Sequence, residues 1–153
     1  SSEWLAQNLR STRNFIRKWG HMVQHDDMMY PIIPPKYDVG FVVKNCDTNL
    51  LKELEPWCST IYVDCDYTDY VKDEQKNTAF NLSDRIKPYD NEKNNNIIVE
   101  FDAKQLNSNN FQIIVNMSDI LKDSGDIGDM EYDIFKFNIN SLKTYEKDLI
   151  NVV

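Results

Sequence analysis

The chain has 153 residues, 41% of them hydrophobic and 12% aromatic, and a net charge of −8. That length suits one domain, which buries roughly 70% of the surface of its unfolded form and needs no disulfide or metal to hold a core. A wholly disordered chain is excluded, and no apolar run reaches the ~18 residues of a membrane-spanning helix. Asn, Ile and Lys are abundant, whereas Arg and Gly occur four times each. Those codons are AT-rich, which points to a low-GC bacterium, a phage, a large DNA virus or a protist as the source.

The charge is split. Residues 1–25 carry Arg10, Arg13, Arg17 and Lys18 against Glu3 alone, so this segment stands at +3 and the remainder at −11. Leu5, Leu9, Thr12, Ile16, Trp19 and Val23 recur at steps of four and three, widened by Trp4, Phe15 and Met22. This is the seam of an amphipathic helix. At 100° per residue, Arg10, Arg13 and Arg17 border the seam and can contact whatever the apolar face packs against. Gly20 either ends this helix at Trp19 or sits within it at a cost of ~1 kcal/mol. Three destinations are open for the face: the chain's own acidic body, a neighbouring subunit or other protein, or a membrane surface or nucleic acid.

The pattern divides the chain into a basic helix over 1–27, a proline-rich connector over 28–36 and an acidic body over 37–153. Met28 to Lys36 holds three of the five prolines and is expected to be extended. Val39 to Val43 reads as a strand, Thr48 to Trp57 as a short helix capped by Thr48, and Thr60 to Val63 as a second strand, an order that permits a βαβ crossover. Ile97 to Phe101, Phe111 to Val115 and Ile134 to Ile139 read as strands from their β-branched and aromatic content. Polar loops are expected over 87–96, 102–110 and 118–133, and a terminal helix over 141–151. The predicted class is α+β: a small mixed or antiparallel sheet of about four to six strands, with the amphipathic N-terminal helix and one or two further short helices.

Candidate chemistry is sparse. Val63-Asp64-Cys65-Asp66 sets a D-x-D after an apolar strand, and paired carboxylates there can hold a hard divalent cation. The pattern is similar to the D-x-D of metal-dependent sugar-nucleotide glycosyltransferases; that likeness spans about four residues and implies metal ligation by Asp64 and Asp66. Acidic residues solvating a strand end are the plainer reading. His21 and His25 would share one face if the helix ran that far, as metal-binding pairs do, but they fall near the arginines. Asp123, Asp126, Asp129, Glu131 and Asp133 do not match the spacing of a calcium loop and read as an exposed acidic stretch. Phosphate-cradling glycine loops and nucleophile elbows are absent. Cys46, Cys58 and Cys65 have no metal-ribbon spacing and read as reduced thiols.

These features predict a non-enzymatic structural or interaction subunit of a larger assembly, with a virus or phage particle as the candidate. It would dock on protein, a neighbour or a second copy, through Leu5, Leu9, Arg10, Arg13, Ile16, Arg17 and Trp19. The alternative is a metal-dependent sugar-nucleotide transferase, or a domain of one, built on the D-x-D pair. No cofactor is predicted, and the acidic body disfavours nucleic acid. With no secretory signal core, the expected location is the cytoplasm or an assembled particle. The Ser1-Ser2-Glu3 start reads as a terminus left by methionine removal.

Overall fold

The computed structural model describes residues 2–145. Helix α1 (Ser2–Trp19) begins the chain and stops where the left-handed Gly20 (φ +80°) accommodates the turn, its amide bonding Ile16 O at 2.7 Å. The next segment is a small antiparallel hairpin, β1 (Gln24–His25) and β2 (Pro31–Ile32). Its turn is organised by Asp26, whose carboxylate accepts the amides of Met28 and Tyr30, both at 2.9 Å. Extended chain is therefore found at Pro31–Ile32, whereas Met29 takes a positive φ in the turn.

The body is one mixed sheet. In chain order it contains β3 (Val39–Lys44), α2 (Thr48–Leu54), β4 (Thr60–Val63), α3 (Thr68–Glu74), α4 (Leu82–Arg85), β5 (Ile86–Pro88) and β6 (Ile97–Asp102). There follow α5 (Ser108–Val115), α6 (Met117–Ser124), β7 (Gly128–Tyr132) and β8 (Phe135–Ile139). The strand order is β5-β4-β3-β6-β8-β7; β3 to β6 run parallel, and β8 and β7 add an antiparallel hairpin beside β6. The α+β class and the mixed six-stranded sheet match the sequence reading. Five helices follow α1 among the described residues, more than the one or two expected.

Strand alternation assigns the faces. Phe41, Val43, Ile61, Val63, Val99, Phe101, Phe135 and Phe137 occupy alternate positions and join Leu51, Leu54, Tyr70, Leu82, Ile114, Met117 and Leu121 in one core. Helices α2 to α6 thus cover this face. Phe101 is its aromatic centre, edge-on to Phe41 and Phe135 at 5.7 and 5.0 Å between centroids. The opposite face carries Gly40, Tyr62, Glu100, Lys136 and Asn138. Residues 89–96 return there from β5 to β6 without a helix. Asn95 fastens this segment, accepting from Tyr62 Oη at 2.7 Å and donating to Asp38 Oδ1 at 2.7 Å.

Several local readings need correction. Phe111 to Val115 is helical, although its residues favour strands. Asn107 starts the helix with a reciprocal capping box, and Asn110, Ile114, Met117 and Leu121 are buried at helical spacing through α5 and α6. The loop expected over 118–133 contains most of α6 and all of β7, and the one over 87–96 begins with the end of β5. Helix α2 is capped by Asp47, whose Oδ1 accepts Leu50 N at 2.8 Å, rather than by Thr48. The expected terminal helix falls mostly on residues 146–153, outside the described residues; within them, Thr144 pairs with Tyr37 in an isolated bridge.

Candidate functional site

Helix α1 divides into two unlike halves. Its C-terminal half is clamped to the body. Arg17 and Ile16 are buried, and Arg17 reaches into a closed cluster on α3 and the 3-10 turn Glu55–Trp57 that follows α2. Its Nη2 donates to Glu55 Oε1 and Glu74 Oε2, each at 2.6 Å. Arg13 forms a bidentate pair with Glu74 through Nε at 2.6 Å and Nη2 at 2.8 Å. Arg85 Nε completes the set on Glu55 Oε2 at 2.8 Å, and Tyr70 Oη donates to Glu55 Oε1 at 2.8 Å.

Such burial of charge is tolerated because the carboxylates are saturated with donors. Burial works to raise the Glu55 carboxyl, but the Arg17 and Arg85 guanidinium groups hold it below its ordinary value. Burial likewise opposes ionisation of Glu74, yet donation from Arg13, Asn77 and Arg17 draws it down to about 2. Burial pushes the Tyr70 hydroxyl up, so it stays protonated and donates.

The helix end is closed by Lys36. Its Nζ donates to Arg17 O at 2.8 Å and Lys18 O at 3.1 Å, and its stem packs over Gly20. Burial, with the Arg85 charge second, brings the Lys36 ammonium down to about 8.

The N-terminal half of α1 is different. Leu5 and Leu9 are 53% and 52% exposed, and Trp4 is exposed beside them. Arg10 lies on this half, reaching Gln7 Oε1 at 2.6 Å and Glu3 Oε1 at 3.3 Å within its own helix. Below Leu9 an open groove of about 840 Å³ runs between α1, α2 and α5, with Ile16, Leu50, Trp57, Leu106 and Phe111 contributing apolar wall. The residues singled out on this helix are thus sorted: Arg13, Ile16 and Arg17 are spent on the chain's own body, while Leu5, Leu9 and Arg10 face outward. Trp19 is half-buried at the helix end, with the Lys18 ammonium 5.2 Å from its ring.

The histidines do not share a helix face. The helix ends before them; His25 lies in β1, and His21 is buried edge-on to Phe15, its Nδ1 2.5 Å from Met22 O. His21 is therefore a packed residue.

Asp64 and Asp66 follow the carboxyl end of β4. Strand order reverses between β3 and β6, a place where open α/β sheets commonly bind ligands. Here the loop after β3 is held from within. Asn45, at φ +58°, donates its amide to Asp64 Oδ2 at 2.7 Å, and Cys46 donates its amide to Asp64 Oδ1 at 3.1 Å. Asn45 Nδ2 spans to Asp102 Oδ1 at 2.9 Å across the reversal. Asp66 turns to the amide of Thr68 at 3.0 Å. The two carboxylates of the D-x-D are thus engaged by different backbone turns. Among the described residues no cluster of three or more histidine, cysteine or carboxylate side chains is placed to hold a metal ion. Nor, among them, is any helix long and apolar enough to cross a membrane.

The acceptors Glu55 and Glu74 were not singled out in the sequence. A signal for Glu55 was available: it stands between Leu54 and Pro56-Trp57, a charge inside an apolar run. Compared with known proteins, the chain matches no family model, no curated protein and no solved structure.

Proposed function

We propose that this chain is a protein-docking component of a larger assembly, engaging a neighbour through the outward half of α1 and the groove beside it. The observation that carries this is the contrast along one helix: Arg17 is sealed into the body at 1% exposure, while Leu5 and Leu9 two to three turns away are more than half exposed. A helix clamped at one end presents its other end with little loss of conformational freedom on binding. Apolar side chains beside an apolar groove favour burial by a partner. Arg10 is a rim charge, and its exposed pair adds at most ~1 kcal/mol, so the leucines would supply most of the affinity.

The test places a photo-crosslinking residue at Leu5 or Leu9 in the intact assembly, with Lys122 as a control position. A defined protein adduct from the first two and none from the third is the expected result. The pair Leu5→Gln with Leu9→Gln should abolish association without lowering Tm. Retained association, or a lowered Tm, would overturn the reading.

A second reading, a metal-dependent sugar-nucleotide transferase or a domain of one, is favoured by one observation: Asp64 and Asp66 lie at the carboxyl edge beside the reversal of strand order. A ligand that binds only the folded state raises its stability. On this reading Mn²⁺ with a nucleotide sugar raises Tm, and Asp64→Asn with Asp66→Asn removes the rise. An unchanged Tm rejects it.

A further inference from the structure

We propose that Cys46 and Cys65 form a redox-modification site, a dithiol pair that a low-molecular-weight disulfide converts into an intramolecular disulfide at the carboxyl edge of the sheet. This does not depend on the docking reading.

The placement rests on the sheet. Strands β3 and β4 are adjacent and parallel, with Val43 beside Val63 in register, so the loops that follow them leave the sheet side by side. Cys46 lies in the first loop and Cys65 in the second. Asp64 ties the loops together by accepting the amides of Asn45 and Cys46 immediately before Cys65 in the chain. The two thiols lie near enough that each bears on the other's ionisation. Both also pack on the same core, Cys46 within it and Cys65 at its margin.

The surroundings set an order of reaction. Cys65 is partly exposed, whereas Cys46 is buried and its Sγ donates to Asp47 O at 3.4 Å. Cys58 is buried elsewhere, its Sγ 3.6 Å from Glu55 O. The Cys65 thiol first loses its proton to solvent. Its thiolate attacks one sulfur of the small disulfide, the reagent's sulfur–sulfur bond breaks, and one small thiolate leaves and takes up a proton. The Cys46 thiolate, deprotonated in turn, attacks Cys65 Sγ and expels the second small thiolate, which is also protonated. Two protein thiols are oxidised to one disulfide, and the small disulfide is reduced to two thiols. Burial pushes both protein thiols up, so the first step is slow at neutral pH and quickens as pH rises.

The folded protein is treated with oxidised glutathione at pH 8 and quenched by alkylation, then read by intact mass and peptide mapping. The expected product has lost two hydrogens, links the peptides of Cys46 and Cys65, and reverts with dithiothreitol; Cys58 is alkylated only after unfolding. Cys46→Ser should stop at a glutathione adduct on Cys65, and Cys65→Ser should leave Cys46 unmodified. A wild-type adduct that persists on Cys65, a link through Cys58 or between chains, or no oxidation at all would overturn the assignment.

Discussion

Arg17 Nη2 and Glu55 Oε1 lie 2.6 Å apart with both side chains wholly shielded from solvent. This contact joins α1 to the turn after α2, and through Arg85 and Glu74 it reaches α4 and α3. A pair so placed is costly to break, because the surviving charges stay buried without a partner.

Replacing Glu55 by Gln leaves Arg17 and Arg85 facing a neutral group. The expected loss is about 3–5 kcal/mol, the range for breaking a buried pair from one side. It is read from the midpoint of urea denaturation at pH 7. Arg10→Ala, on the exposed half of the helix, should change stability by under about 0.5 kcal/mol.

Acid should release the same clamp. The Glu74 carboxyl is drawn from its ordinary 4.5 to about 2, and Glu55 is also held low. A carboxyl with a depressed folded-state value contributes stability fully above its unfolded value and loses it as pH falls through the folded one. Stability should therefore fall between about pH 4.5 and pH 2, with Trp19 fluorescence reporting release of the helix end. In Glu74→Gln the fall attributable to this residue should be missing, alongside lower stability at pH 7.

Lys36 gives the opposite sign at alkaline pH. Its folded-state value is lowered to about 8 from an ordinary 10.5, so above 8 the unfolded chain holds a proton that the folded chain has released. This group makes stability rise with pH from about 8 towards 10. Denaturation at pH 8, 9 and 10 should show a less positive slope in Lys36→Met than in the wild type. The variant should also be less stable overall, because Arg17 O and Lys18 O lose their donor.

Gly40 should not tolerate a side chain. A Cβ there would lie 2.3 Å from Asn95 Oδ1, the atom that accepts the Tyr62 hydroxyl bond. Gly40→Ala must displace Asn95 and with it the crossing segment, costing about 1–3 kcal/mol as overpacking. Thermal unfolding checks the loss. Asn95→Ala in the Gly40→Ala background should recover part of it if the clash is the cause.

The strand–helix–strand run from Val39 to Val63 was legible because alternation and turn residues agreed with the final packing. So was the presence of α1, β6 and β8, although α1 stops at Trp19 and does not fill the 1–27 segment assigned to it, Gly20 having left its end open. Phe111 to Val115 was not, since its β-branched content favours a strand; capping by Asn107 and burial of Ile114, with Met117 and Leu121 beyond it, outweigh that preference. The D-x-D was visible as a pattern. The amides that Asp64 accepts come from a loop about twenty residues earlier and leave no mark at the motif itself.

The sequence alone determined that α1 is amphipathic and that Arg13 and Arg17 border its apolar seam, because helical phase follows from residue spacing. Only the tertiary structure decided what those arginines meet. Glu55 and Glu74 lie 38 to 61 residues away along the chain, and long-range packing alone brings them to Arg13 and Arg17. The same packing sealed one half of the helix and left Leu5 and Leu9 outside. A hydrophobic period sets which face is apolar, but which stretch of that face is buried depends on where the rest of the chain ends.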